Sequence, residues 1–138
     1  DRGANTLKEL YQKYPEDVRI VFKNYPLPFH QEAPAASRAA LAAGEQGKYW
    51  EMHDKLFANF KNFKANASDM KTYTAGFAEE LGLDVAKFKA DFDKPEFGKM
   101  IEDDKALGNK LGVRGTPHRR CALQHTQCCH LLGMGDFG

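Results

Sequence analysis

The chain has 138 residues, 42% of them hydrophobic and 28% charged, which is the make-up of one folded domain with its own core and not of a disordered segment. Twenty Lys and Arg against nineteen Asp and Glu leave a formal charge of +1, so there is no global electrostatic pull toward DNA, RNA or an anionic membrane. The longest apolar run, residues 39–43, falls far short of the roughly 20 residues that span a bilayer, and no basic-then-apolar start resembles a signal peptide.

The first residue is Asp1 and not Met, which reads as a processed or trimmed chain or a fragment. Thr6 with Glu9 three residues on is a capping-box pattern, and Leu7, Leu10, Tyr11 and Tyr14 follow at helical spacing until Pro15 stops them. Residues 18–23 alternate Val18, Ile20 and Phe22, with Val21 on the other face. They read as a strand buried on both sides. Pro26 and Pro28 then force an extended exit.

From Glu32 the pattern is helical for about eighty residues. Pro34 suits a first helical turn, and Ala35, Ala36, Ala39, Ala40 and Ala43 form a small-residue stripe that admits a close neighbour. Tyr49, Met52, His53, Leu56, Phe57 and Phe60 predict an amphipathic helix, and residues 61–66 a polar loop. Ser68 or Asp69 can cap a helix that runs to Leu81 and Gly82. Asp84 can cap another, with Val85, Phe88 and Phe92. Pro95 opens the last helix, with Phe97, Met100, Ile101, Leu107 and Leu111 inward and Gly112 as its stop.

Composition breaks at His118. Residues 118–138 hold all three cysteines (Cys121, Cys128, Cys129), three of the five histidines and no lysine, with neither strand alternation nor helical periodicity. They read as an atypical tail, non-native or disordered. A strand at 18–23 with no other clear strand in the chain leaves backbone donors and acceptors open on both edges. Its partners must come from the tail, from another copy of the chain or from strands absent from this sequence, so an incomplete sheet and a homo-oligomer that completes it are both expected.

Three segments carry a resemblance. Residues 17–30 (DVRIVFKNYPLPFH), 39–57 (AALAAGEQGKYWEMHDKLF) and 106–117 (ALGNKLGVRGTP), in this order, resemble the DsbA-like branch of the thioredoxin superfamily over roughly residues 4–117. The resemblance implies an α/β, thioredoxin-like fold with a large helical insertion at about residues 32–111, helix-dominated here. It implies thiol–disulfide exchange on extended protein or peptide substrates, no cofactor, and a periplasmic or other extracytoplasmic site. That chemistry uses a Cys-x-x-Cys at a helix N-terminus, where the dipole stabilises a thiolate and the second cysteine resolves the mixed disulfide. No Cys-x-x-Cys occurs in these 138 residues. The chain as written is therefore expected to be inactive, and whether it is itself an enzyme stays open.

Thr116 and Pro117 are the substrate-binding candidates. A cis X–Pro bond fixes one tight loop because it isomerises slowly. The resemblance implies such a bond at Pro117 and pairing of the Thr116 backbone with a substrate strand, whereas an ordinary trans turn is the plainer reading. The cysteines with His118, His125 and His130 have soft-ligand chemistry, but their spacing does not fit a zinc site, and no metal is expected. His53 reads as a core or half-buried histidine, and His30 lies in a loop that could face a groove. The aromatic stripe Tyr49, Trp50, Phe57, Phe60 and Phe63 reads as packing of the insertion. Two other readings stand beside thiol–disulfide exchange: a non-catalytic peptide-binding module on the same scaffold, and a glutathione-dependent isomerase or transferase of the same fold.

Overall fold

The computed structural model describes residues 2–116, 118–121 and 129–132. Its elements run α1 (Arg2–Lys13), β1 (Ile20–Lys23), α2 (Ala33–Gly44), α3 (Tyr49–Asn59), α4 (Met70–Glu80), α5 (Val85–Phe92), α6 (Pro95–Lys110), β2 (His118–Cys121) and β3 (Cys129–Leu132). The architecture is α/β and helix-dominated with an incomplete sheet, as expected.

The insertion is built around α2. Six of its alanines (Ala33, Ala36, Ala39, Ala40, Ala42 and Ala43) are fully buried, and α3, α4, α5 and α6 all pack against it. Side chains this small let four helices approach one backbone. The volume between them is filled by Met52, Leu56, Met70, Phe77, Phe88, Phe92 and Phe97. Arg38 fastens α2 to the turn between α5 and α6: its Nη1 donates to the Phe92 and Lys94 carbonyls at 3.1 and 3.0 Å. Gly98 leaves room for that guanidinium, since a Cβ there would lie 2.7 Å from Arg38 Nη2. Asp69 and Asp84 cap α4 and α5 by accepting from the Thr72 and Lys87 amides.

Four expectations are corrected. α1 starts at Arg2, so Thr6 lies inside the helix and does not cap it. No proline blocks extension toward the N-terminus, and Gly3 opposes it by only about 1 kcal/mol. β1 spans only Ile20–Lys23 and is half-buried along its length, since it lies at the end of a three-stranded sheet. Residues 61–66, apart from Phe63, belong to two 3-10 turns, Phe60–Asn62 and Lys64–Asp69, with the buried Phe63 between them. On α6, Phe97, Ile101 and Gly108 form the packed stripe, while Met100 and Leu107 are exposed. Each lies one position earlier, about 100° around the helix from that stripe. Leu111, just past the helix, is also exposed.

β1 finds its partner in residues 118–138, where no strand pattern is legible. The order is β1-β3-β2, with β3 parallel to β1 (Ile20 opposite Cys129, Lys23 opposite Leu132) and antiparallel to β2 (His118 opposite Leu132, Cys121 opposite Cys129).

Phe88 is fully buried in the helical core. Phe88→Ala is expected to lower unfolding stability by about 3–5 kcal/mol, read from urea denaturation followed by far-UV circular dichroism. A loss below about 1 kcal/mol would show that the helical block is not packed as described.

Candidate functional site

The end of β1 is tied to α6 by one carboxylate. Asp104 Oδ1 accepts from Lys23 Nζ at 2.8 Å. Its Oδ2 accepts from the Asn24 backbone N–H at 2.9 Å and from Asn24 Nδ2 at 3.4 Å. Pairing a lysine and a backbone amide to one partly buried carboxylate gives charge-assisted hydrogen bonds, stronger than neutral ones.

One residue further on, Tyr25 lies against the last turns of α6. A Cβ on Gly108 would sit 2.5 Å from Tyr25 Cδ2, so only glycine lets the ring in. The ring is held by its hydroxyl, which donates to Asn109 Oδ1 at 2.7 Å, with the Val113 carbonyl oxygen 3.3 Å away. α6 itself ends in a Schellman turn: Gly112 takes φ +72, its N–H donates to Asn109 O, and the Val113 N–H donates to Gly108 O. Tyr25, Leu27 and Val113 pack together as a small second core. The segment leading to Thr116 is thus held by a helix stop on one side and by Tyr25 on the other.

Thr116 is buried, and its Oγ1 is enclosed with no hydrogen-bond partner. Pro117, the other substrate-binding candidate, lies outside the described residues. An anchored loop of this kind can offer the main chain of Thr116 to an extended segment. Cys121 lies three residues past His118, about 10 Å further along β2.

The joint between sheet and insertion carries two further features. An open cavity of about 320 Å³ is bounded by Phe22, Lys23, Leu41, Tyr49, Met100 and Asp103, among others. Burial, helped by the charge of Asp104, pushes the Tyr49 phenol well up from its ordinary value. Beside it, His53 is buried among aromatic rings, with centroid distances of 4.6 Å to Phe57, 5.0 Å to Phe22 and 5.4 Å to Trp50. Its Nδ1 lies 3.3 Å from Asp54 Oδ1, and its Nε2 is enclosed without a partner. Burial holds the imidazole below the ordinary histidine value, against the opposing pull of Asp54.

The remaining candidates are dispersed. His30 lines a second cavity of about 220 Å³ with Phe60, Phe63, Lys61 and Lys64, 4.7 Å by ring centroids from the exposed Phe29. Phe57, Phe60 and Phe63 serve the packing of the insertion, while Trp50 is half exposed. His118 opens β2 and His130 lies in β3. His125 and Cys128 fall outside the described residues. Among the described residues, no three His, Cys, Asp or Glu side chains converge as a metal site, and no helix is long and apolar enough to cross a membrane.

Sequence reasoning passed over Tyr25, Asp104, Gly108 and Asn109. The one local signal was Gly108, a glycine inside a helix, which usually has a packing reason.

A short sheet carrying a large helical block, with an anchored Gly-Thr loop after the last helix, defines a thioredoxin-type domain with a helical insertion. The comparisons agree: the DSBA-like thioredoxin domain family matches residues 2–119, and the chain belongs to that family, whose type is thiol–disulfide oxidoreductase. Proteins named Na(+)/H(+) antiporter NhaA are also similar. That of Herminiimonas arsenicoxydans is 35% identical over 109 residues, 79% of this chain and 16% of the relative. NhaA 1 of Salinispora arenicola is 34% identical over 102 residues, 73% of this chain and 15% of the relative. NhaA 3 of Salinispora tropica is 36% identical over 113 residues, 80% of this chain and 16% of the relative. The chain thus spans about a sixth of the length of these relatives. No solved structure matches it significantly.

Two outcomes are expected. Gly108→Ala puts a methyl group against a ring held at its hydroxyl, and costs about 1–3 kcal/mol despite the better helix propensity of alanine. Its urea midpoint falls below that of the parent chain, and an unchanged midpoint would contradict the close packing. For His53 the folded chain refuses a proton that the unfolded chain accepts. Its contribution is complete above the ordinary histidine value and is lost as pH falls toward the depressed folded value. Stability of the parent chain is expected to drop more than that of His53→Phe between about pH 7 and about pH 5. Parallel pH profiles would refute this.

Proposed function

We propose that this chain serves thiol–disulfide exchange on extended protein substrates as the part that holds the substrate. Family membership supports the reaction class. The observation that supports the holding role is the anchored loop ending at the buried Thr116. In this reading Pro117 is cis, and the Thr116 main chain pairs with one strand of the substrate. The Cys-x-x-Cys that exchange requires does not occur in the 138 residues, so the reading assigns substrate holding, and not electron transfer, to them. An extracytoplasmic site would accompany this function. What the antiporter names describe is not part of the reading, because the match covers so little of those proteins.

The test is binding of a fluorescein-labelled, cysteine-free extended peptide, followed by anisotropy. Binding is expected to survive alkylation of all three cysteines and to weaken roughly tenfold in Pro117→Ala, the value of one to two backbone hydrogen bonds. Thr116→Val removes the enclosed hydroxyl and leaves the main chain in place. It is expected to bind like the parent and to be more stable by about 1 kcal/mol. Absence of binding, or its loss on alkylation, would overturn the reading. In parallel, the 138-residue chain is expected to leave dithiothreitol-driven insulin reduction at its uncatalysed rate, and acceleration would show that these residues carry exchange chemistry of their own.

A further inference from the structure

Between the entry to α2 and the turns that follow α3, a cavity of about 220 Å³ is lined by His30, Glu32, Phe60, Lys61, Phe63 and Lys64. Lys61 and Lys64 stand three residues apart across the turns Phe60–Asn62 and Lys64–Asp69, with Phe63 helical between them. In a 3-10 helix that spacing sets one side chain over the other, so both lysines belong to one face. Phe60 and Phe63 repeat the spacing one position earlier and give the cavity its apolar wall. We propose that this cavity binds a small organic anion, a carboxylate carried on a flat aromatic body.

Charge complementarity sets the sign of the ligand. Two lysines and the His30 imidazole share the lining with one carboxylate, that of Glu32. Neither lysine forms an ion pair with a described residue, whereas Lys55 on α3 and Lys71 on α4 are paired with Glu80 and Asp93. Glu32 is the N-cap residue of α2 and its side chain makes no capping hydrogen bond. The positive end of that helix's dipole offsets its charge. An incoming carboxylate therefore meets Lys61 and Lys64 through charge-assisted hydrogen bonds, which are stronger than neutral ones.

Size and lining set the rest of the ligand. An apolar cavity of about 150 Å³ takes benzene, and drug-sized ligands occupy about 300 Å³ or more. At about 220 Å³ the space suits a fused aromatic ring pair with its carboxylate and excludes larger molecules. Phe60 and the buried Phe63 offer aromatic surface for such a ring to pack against. The exposed Phe29, 4.7 Å from His30 by ring centroids, adds a further ring beside this lining. No residue of this cavity belongs to the Thr116 loop or to the contacts that anchor it. The site is thus separate from substrate holding, and it stands whether or not the chain holds peptides.

The test is titration of the isotope-labelled 138-residue chain with naphthoate, followed by backbone amide NMR shifts. Saturable shifts are expected at His30, Glu32 and residues 60–64. Naphthamide keeps the rings and loses the charge, and is expected to bind at least about fivefold more weakly, the value of one ion pair. Inorganic phosphate keeps the charge and lacks the rings, and is expected to leave these amides in place at the concentration that saturates with naphthoate. Lys61→Gln and Lys64→Gln are each expected to weaken naphthoate binding about fivefold. Lys89→Gln, on α5 and outside the lining, is expected to bind like the parent. Amide shifts of α4, α5 and α6 report that each variant keeps its fold. Equal affinity for naphthoate and naphthamide, saturation by phosphate alone, shifts centred on other residues, no saturable shift, or a folded Lys61→Gln, Lys64→Gln double variant that binds like the parent would each overturn the proposal.

Discussion

The Asp104 carboxylate joins two parts of the chain that lie some eighty residues apart. By taking the Lys23 ammonium and the Asn24 amide together, it sets where β1 stops and how the chain leaves the sheet. Tyr25 follows at once and enters the gap that Gly108 leaves on the same helix, so two consecutive residues are placed by one face of α6. The same helix then ends at Gly112 and hands the chain to Val113 and Thr116. Sheet, insertion and candidate loop are therefore positioned from one element, and a shift of α6 would move all three.

α6 can act as that reference because the insertion behind it is closely packed. The alanines of α2 remove the bulk that would keep α3, α4, α5 and α6 apart, and the phenylalanines and methionines of the surrounding helices fill what remains. Arg38 adds a polar fastening at the turn where α6 begins. The joint between this block and the sheet is less uniform. It holds a buried histidine in an aromatic surround, a half-buried tyrosine and an open cavity. Buried polar atoms without partners, at Asn24, His53 and Thr116, cluster at this joint and at the loop, while the helical core has none among the described residues.

Much of the insertion was legible because its signals are local. Asp69 and Asp84 accept from amides three residues ahead, Pro34 and Pro95 sit in first turns, and Gly82 and Gly112 take the left-handed conformation at helix ends. The segments that resemble the family are short runs whose residues can be read in order. Where local patterns misled, a tertiary partner or its absence was the reason. Met100 and Leu107 look like core at helical spacing, yet the packed stripe of α6 runs one position later, and Leu111 lies beyond the helix. Residues 61–66 look like solvated loop, yet the burial of Phe63 holds short turns on either side of it.

The sequence by itself determined which segments are helical, where most of them end, and which family the chain resembles. Each of those properties depends on residues within a turn or two of one another. The tertiary structure alone decided that Asp104 meets Lys23, that Tyr25 fills the space at Gly108, and that β3 lies between β1 and β2. Those pairings join distant positions through charge, shape and strand register. No local periodicity encodes them, because each is settled only when the separate elements compete for the same neighbours.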